Sequence, residues 1–210
     1  MEVTLISTFV VAVFLLSVAP GPDMLFIVAN AAAGGRRAGL VAAVGMSTGL
    51  AVHTVAAAFS LGALIQAAPE ALNIVRIAGA AFLIYLAISS WRASRADVVS
   101  NVRLPRRPLR KVYVMATLTN LANPKIILFY LAFLPQFLST GPGAWPVWQQ
   151  LLILGALFIA VGLPVDAVIG LAAGSLTEQV LLRPSVRRRL ERAAALIFGG
   201  LAIRLALDTR

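Results

Sequence analysis

Three charged residues, Asp23, Lys125 and Asp166, lie inside long apolar stretches of the sequence, and each stands close to a proline. A charge at the centre of a bilayer costs roughly 2.5–3.5 kcal/mol, so such groups face a watery cavity or the protein interior and pair with one another or with the backbone. Two carboxylates beside one ammonium group leave one net negative charge, which the uptake of a proton would relieve. These residues can therefore hold both charged ends of a small solute and exchange protons. A purely structural ion pair between Asp23 and Lys125 is the alternative.

Two of these charges directly follow a break in an apolar helical pattern. The segment PGPD covers residues 20–23, the segment NPK covers residues 123–125, and an apolar run follows each. Proline removes a backbone donor and breaks a helix, and membrane proteins tolerate such breaks where neighbouring groups or a cavity satisfy the freed backbone. We expect a site at these breaks rather than simple kinks. The predicted break residues are Pro20, Gly21, Pro22 and Pro124.

The three charges also share a depth. Each lies ten to thirteen residues from the end of its apolar stretch on the same predicted side of the membrane. At about 1.5 Å per residue, this spacing places all three near the middle of the bilayer.

Three asparagines and one histidine are further candidates near the breaks. Asn30 lies seven residues after Asp23 and therefore on the same helical face, while Asn120 and Asn123 lie beside the second break. Asparagine also joins membrane helices by hydrogen bonds, so the sequence leaves both roles open. We expect His53 to bond to a neighbouring helix rather than to a metal, because the chain has no second histidine and no cysteine.

The elements that position these residues are apolar helices. The sequence is 60% hydrophobic and only 12% charged, with a mean hydropathy of +0.91, whereas soluble domains carry roughly 25% charged residues. A membrane-spanning helix needs about 20 apolar residues, and small residues four apart, as in 45–49 and 170–174, predict close helix packing. We predict an all-α integral membrane protein with six spans: Val3–Ala33, Ala38–Ala68, Leu72–Trp91, Val112–Leu138, Trp148–Leu176 and Ala193–Leu207.

Arginine and lysine concentrate in alternate gaps between these spans. The first, third and fifth loops hold Arg36, Arg37, Arg92, Arg95, Arg103, Arg106, Arg107, Arg110, Lys111, Arg183, Arg187, Arg188, Arg189 and Arg192. Basic loops stay on the cytoplasmic side, so we predict that the odd loops are cytoplasmic and that both termini lie outside. Because the net charge of +10 follows this pattern, we expect membrane lipid, and no nucleic acid, as a partner.

The two breaks suggest an internal repeat. Three spans separate the first helix from the fourth, so the two helices cross the membrane in opposite directions. Paired interruptions at corresponding positions are typical of inverted-repeat transporters, whose binding sites lie at such breaks near the midplane. We predict one membrane domain, 1–210, made of a 3+3 inverted repeat with halves of about 1–91 and 112–210 and a basic cytoplasmic loop, 92–111, between them.

Two longer stretches carry a family resemblance. APGPDMLFIVANAAAGGRRAGLVAAVGMSTG (19–49) and NPKIILFYLAFLPQF (123–137) resemble two signatures of the lysine exporter superfamily, in its threonine/homoserine efflux branch. The resemblance implies a multi-pass protein of the bacterial inner membrane that exports amino acids or close analogues, driven by the proton motive force as an antiporter. On this resemblance, the Pro-Gly-Pro and Asn-Pro-Lys motifs fall on residues 20–22 and 123–125, and the acidic position of the fifth helix falls on Asp166.

No phosphate-binding loop for ATP and no catalytic set is evident in the sequence, so we expect a secondary transporter and neither an enzyme nor a cofactor. The expected partners are an amino-acid substrate and protons, and the sequence leaves a homodimer open. Two alternatives remain: a metal-cation exporter and a non-transporting membrane subunit. The metal alternative has poor ligands, namely one histidine, no cysteine and two buried carboxylates.

Overall fold

The structure, a computed structural model, describes residues 3–19, 21–67, 74, 77, 81, 84–85, 87–92, 94–95, 106–139, 143–173 and 184–207. Pro20 and most of the predicted third span, Leu72–Trp91, lie outside these described residues. The same holds for most of the predicted loop 92–111.

Every element in the described part of the chain is helical, as apolar backbone without water requires. The helices are α1 (Val3–Val18), α2 (Pro22–Gly34), α3 (Arg36–Ala67), α4 (Leu109–Leu121), α5 (Pro124–Leu128), α6 (Val147–Ala173) and α7 (Pro184–Leu207). A π-helical turn, Phe129–Phe133, and a 3-10 turn, Leu134–Phe137, continue α5.

The two predicted helix breaks are confirmed. The chain bends by 51° between α1 and α2, and by 47° between α4 and the segment 124–137. Pro22 and Pro124 each occupy the first turn of the helix after the break, where the missing N–H costs nothing and the fixed backbone angle favours a new helix.

The number of spans is settled only in part. Within the described residues, α3 and α6 are long and apolar enough to cross a membrane, and the count rises to four if each bent pair forms one span. The six-helix bundle and the 3+3 repeat therefore stay predictions. The last helix, α7, begins at Pro184 and so extends further toward the N-terminus than the predicted span from Ala193.

Helix α3 is the centre of the described bundle and packs against α2, α4 and α6. Its glycines allow this close approach, as predicted. A Cβ atom on Gly45 would lie 2.6 Å from the carbonyl oxygen of Tyr113 on α4, and one on Gly39 would lie 2.5 Å from the carbonyl oxygen of Gly170 on α6. The predicted partner of Gly170, Gly174, lies outside the described residues.

Two hydrophobic clusters fill the interior. An aromatic cluster contains Phe9, Phe129, Phe133, Phe137 and Phe158. A second cluster, rich in aliphatic side chains, contains Met24, Ile27, Met46, Val112 and Ile169. A polar cavity takes lining residues from both clusters, so it lies between them.

Candidate functional site

The cavity between the two clusters brings together both helix breaks. Its polar lining comes from α1, from α2, from α6 and from the end of α4 and the start of α5. Five of the six predicted binding residues line it: Asp23, Asn120, Asn123, Lys125 and Asp166. The predicted break residue Gly21 lines it as well. The predicted polar residues therefore converge on one place, although they are up to 143 positions apart in the sequence.

Lys125 reaches across from the second break to the first. Its ammonium nitrogen, Nζ, donates hydrogen bonds to the carbonyl oxygens of Leu16 at 2.7 Å and Ala19 at 3.0 Å. In a continuous helix the Leu16 carbonyl would accept from the N–H of residue 20, and residue 20 is a proline, which has none. Lys125 thus supplies the donor that the first break removes.

The start of α5 explains the Asn-Pro-Lys motif locally. The Asn123 side-chain oxygen accepts a hydrogen bond from the backbone N–H of Lys125 at 3.0 Å. Asparagine is a preferred residue at this capping position because its side chain satisfies a free N–H of the first helical turn. Asn123 therefore begins the helix, Pro124 continues it, and Lys125 projects from it toward α1.

Asp23 lies in the first turn of α2, where the positive end of the helix dipole favours a carboxylate. Its Oδ2 atom accepts a hydrogen bond from Nδ2 of Asn120 at 2.7 Å. Its other oxygen, Oδ1, is buried without a hydrogen-bond partner among the described residues, and so is Oδ1 of Asn120. Asp23 thus holds an unused acceptor that a ligand with N–H groups could engage, whereas Oδ1 of Asn120 lies against Gly49 of α3, 2.5 Å from where a Cβ atom would stand.

Asp166 approaches the same cavity from α6, where it is 9% exposed. Asp23 and Asp166 both lie close enough to Lys125 to interact with its charge, and they also interact with each other. The two carboxylates and the ammonium group therefore line one cavity. Pro164 precedes Asp166 inside a continuous helix, so this third proline marks no break.

The remaining predicted residue, Asn30, is placed differently. Its side-chain Nδ2 donates to the carbonyl oxygen of Phe26 at 2.9 Å, one turn back on α2. Asn30 is buried, but the described lining of the cavity does not include it. Pro20, the other predicted break residue still to be placed, lies outside the described residues.

A second polar group lies beside the cavity. His53 Nε2 is 3.4 Å from the carbonyl oxygen of Asn120 on α4, which confirms the predicted contact with a neighbouring helix. The His53 ring stacks on Tyr130, whose hydroxyl is 2.8 Å from Thr54 Oγ1 and donates to the Leu50 carbonyl oxygen at 3.2 Å. Sequence reasoning missed Tyr130, although it is the only hydroxyl group in the apolar run 126–134.

Sequence reasoning also missed Glu191. This residue lies in the run RRRLER, which is typical of a solvated helix end, yet it is only 4% exposed and its charge interacts with Lys125. Helical spacing could have indicated that Glu191 is buried, because it puts Glu191 on one face of α7 with Ala195 and Ala202. In the structure all three residues are buried.

The cavity is small in this state. Its volume is about 30 Å³, room for about two water molecules, since one water needs about 10–15 Å³ of such space. A solute with several heavy atoms would fit only after the surrounding helices separate.

Comparison with known proteins gives a consistent result. The family model described as LysE type translocator matches residues 14–209. A protein of Salmonella typhimurium named homoserine/homoserine lactone efflux protein is 35% identical over 152 residues, which cover 72% of this chain and 71% of the relative.

Two further relatives are described as uncharacterized membrane proteins. One, from Vibrio cholerae, is 28% identical over 209 residues, 98% of each chain. The other, from Bacillus subtilis, is 31% identical over 146 residues, 66% of this chain and 68% of the relative. No solved structure matches the chain at a significant level.

Proposed function

The chain belongs to the LysE type translocator family, and from this premise we propose that it is a secondary active exporter of amino acids or close analogues from the bacterial cytoplasm. The relatives named homoserine/homoserine lactone efflux proteins support this class of substrate. The sequence carries no phosphate-binding loop for ATP, so an ion gradient is the energy source, and the carboxylates near the cavity suit protons.

One observation carries the proposal: a carboxylate with an unused acceptor and a cation line the same cavity. An amino acid presents an ammonium group, which needs acceptors, and a carboxylate, which needs donors. The buried Oδ1 atom of Asp23 supplies an acceptor. An ammonium nitrogen has three N–H donors, and Lys125 uses two of them on the α1 carbonyls, so one is left for the substrate carboxylate.

Alternating access follows from the size of the cavity. At about 30 Å³ the cavity is too small for an amino acid, so loading requires the helices around the breaks to move apart. Secondary transporters with broken helices open by rocking one group of helices against another around a fixed site. We place the moving boundary where Lys125 of α5 meets the carbonyls of α1, because these hydrogen bonds join the two breaks.

Proton coupling would come from competition for one carboxylate. A zwitterionic substrate carries no net charge, so Asp23, Asp166 and Lys125 leave one net negative charge whether or not it is bound. The substrate ammonium group pairs with the carboxylate of Asp23 or Asp166 while it is bound, and a proton can take its place when the substrate leaves, in a medium where unpaired charge is costly. Export of substrate and entry of a proton would then alternate at one site.

The proposal includes location and orientation. The inner membrane of a bacterium, with the odd loops in the cytoplasm and both termini outside, agrees with the arginine distribution. In this orientation α3 and α4 both begin at the cytoplasmic surface.

The test is efflux from preloaded cells across a panel of labelled neutral and basic amino acids, with homoserine and homoserine lactone included. Wild type would be compared with Asp23→Asn and with Asp208→Asn, a control that removes a carboxylate near the C-terminus of the sequence. We expect Asp23→Asn to reduce efflux per molecule about tenfold or more, because hydrogen bonds to charged groups contribute about 1.5–3 kcal/mol. The control should export as well as wild type does, and an uncoupler should abolish efflux by both wild type and the control.

Two outcomes would contradict the proposal. If folded wild-type protein exports no member of the panel, the substrate class is wrong. If Asp23→Asn lowers the amount of protein in the membrane but leaves efflux per molecule intact, Asp23 is structural and the non-transporting alternative gains support.

A further inference from the structure

A second cavity, much larger than the first, lies where α3 and α4 begin. Its volume is about 510 Å³, and four arginines line it with Pro108 and Leu109. We call it the arginine cleft and define it by Arg36, Arg37, Arg106 and Arg107. It lies at the helix ends, away from the polar cavity, and shares no lining residue with it.

The four guanidinium groups are not neutralised by any neighbour among the described residues. None of them has a hydrogen-bond or ion-pair partner within the described part of the chain. The segment 92–111 contains a single acidic residue, Asp97, which lies outside the described residues and could balance only one of the four charges. The positive charge of the cleft is therefore complementary to an anion from another molecule.

The helices add to this positive potential. The contacts of Gly45 with Tyr113 and of Gly49 with Asn120 advance in the same direction along α3 and α4, so the two helices are parallel and begin side by side. The start of a helix carries partial positive charge and free N–H groups, and cations are normally favoured at the opposite end. Arginines placed at two adjacent helix starts therefore favour the binding of an anion.

The surroundings of the cleft favour a lipid as the source of the anion. Helix α3 is a candidate membrane span, so its first turn lies near the level where lipid phosphates are found. Just beyond the arginines, Leu40 and Val44 of α3 are 37% and 51% exposed, and Leu109 of α4 is 44% exposed. Apolar side chains that face outward next to guanidinium groups suit a molecule with an anionic head and an acyl chain.

We propose that the arginine cleft binds the phosphate group of an anionic phospholipid. The recognised chemistry is a phosphate ester anion, held by the guanidinium groups through paired N–H donors, while the acyl chains lie along the exposed apolar face of α3. Basic pockets at the cytoplasmic ends of membrane helices bind anionic headgroups by the same physics. The proposal stands independently of the transport substrate.

The test measures how short-chain lipids stabilise the purified protein in a neutral detergent. Dioctanoyl phosphatidylglycerol would be titrated while the thermal unfolding midpoint is recorded, since a ligand that binds only the folded state raises it. Dioctanoyl phosphatidylcholine and inorganic phosphate form the two comparison arms. We expect a saturable rise with phosphatidylglycerol and none with the other two.

Two double variants locate the effect. The Arg36→Gln/Arg107→Gln variant should weaken apparent binding of phosphatidylglycerol about 30-fold, which corresponds to about 1 kcal/mol per arginine. The matched control is Arg189→Gln/Arg192→Gln, which removes the same charge from exposed positions on α7 and should bind as wild type. If the first variant does not fold, Arg36→Lys/Arg107→Lys keeps the charge and should weaken binding less, because lysine lacks the paired donors.

Four results would overturn the proposal. An effect of phosphatidylcholine equal to that of phosphatidylglycerol would remove the role of charge. An effect of inorganic phosphate as large as that of the lipid would assign the cleft to a free anion. Equal losses in both double variants would show a general surface-charge effect, and no midpoint shift with any ligand would show that the cleft is unoccupied by these anions.

Discussion

At the first helix break Gly21 precedes α2 and offers no side chain to cap it, whereas at the second break the Asn123 side chain caps the N–H of Lys125. The carbonyls of Leu16 and Ala19, which the first break frees, receive their hydrogen bonds from Lys125. At the second break a local side chain thus satisfies the backbone N–H of Lys125. The carbonyls of the first break depend instead on the side chain of Lys125, which comes from the second break.

This difference shows that similar motifs in two halves of a chain have different roles. The second break supplies the ordered elements, namely a cap and a cation. The first break supplies the open elements, namely carbonyls whose hydrogen bonds come from Lys125 and the unused oxygen of Asp23. A solute that competes for Lys125 would loosen the first break and leave the start of α5 intact, so the difference also predicts which side of the site moves.

The largest effect is expected from Lys125→Met, which removes the connection between the breaks. Two hydrogen bonds from a charged donor are lost, each contributing about 1.5–3 kcal/mol, and the α1 carbonyls stay buried without a partner. We expect the free energy of unfolding in mixed detergent micelles to fall by about 3 kcal/mol or more. Lys111→Met, at an exposed position near the start of α4, is the matched control and should change it little.

A double-mutant cycle with Pro20→Ala tests the mechanism behind this effect. An alanine at position 20 restores an N–H that can bond to the Leu16 carbonyl, so one of the two acceptors no longer needs Lys125. The loss caused by Lys125→Met should then shrink by about 1–2 kcal/mol, a coupling typical of residues that share one hydrogen-bond network. Additive losses would mean that Lys125 does not replace the missing proline N–H.

A smaller effect is expected from Asn123→Ala, which removes the cap of the second break. Loss of an asparagine cap costs typically about 1 kcal/mol, and the same unfolding measurement should show a decrease of that size. Asn123→Ser should recover most of it, because serine caps helices equally well. If serine is as damaging as alanine, Asn123 acts through another contact in the cavity and the capping account is wrong.

Local sequence features predicted much of the site. The prolines fixed both breaks because a missing N–H acts on its own helix, and the buried charges Asp23, Lys125 and Asp166 were conspicuous because charge is rare in apolar segments. Their convergence could be expected because counting residues to the end of each apolar stretch places all three charges at a similar depth in the membrane. Family membership, expected from the two signature stretches, is confirmed.

Features that depend on which helices touch could not be predicted in this way. Helical spacing put Asn30 on the face of Asp23, but it could not show that its amide bonds to Phe26 within α2. The partners of Lys125 required knowledge that α5 faces the end of α1. Glu191 was hidden because its neighbours in the sequence are arginines, and only the packing of α7 reveals that its face is buried.

The smallest effect is expected from Gly21→Ala, in the middle of the Pro-Gly-Pro motif. Gly21 has φ −161° and ψ −177°, an extended conformation that any residue adopts. An added Cβ would lie 3.7 Å from Lys125 Nζ and 3.9 Å from the Ala19 carbonyl oxygen, which is ordinary contact. The free energy of unfolding should therefore stay within about 0.5 kcal/mol of wild type.

Gly49→Ala provides the contrast for this last measurement. Its Cβ would lie 2.5 Å from Asn120 Oδ1 and 2.8 Å from Asn120 Cβ, so α3 and α4 must separate and stability should fall by about 1–3 kcal/mol. If Gly21→Ala is as stable as wild type but exports poorly, the glycine serves the open, solute-bound state rather than the closed one. A large loss of stability in Gly21→Ala would instead mean that the first break is packed as tightly as the α3–α4 contact, and the distinction between an open first break and an ordered second break would fail.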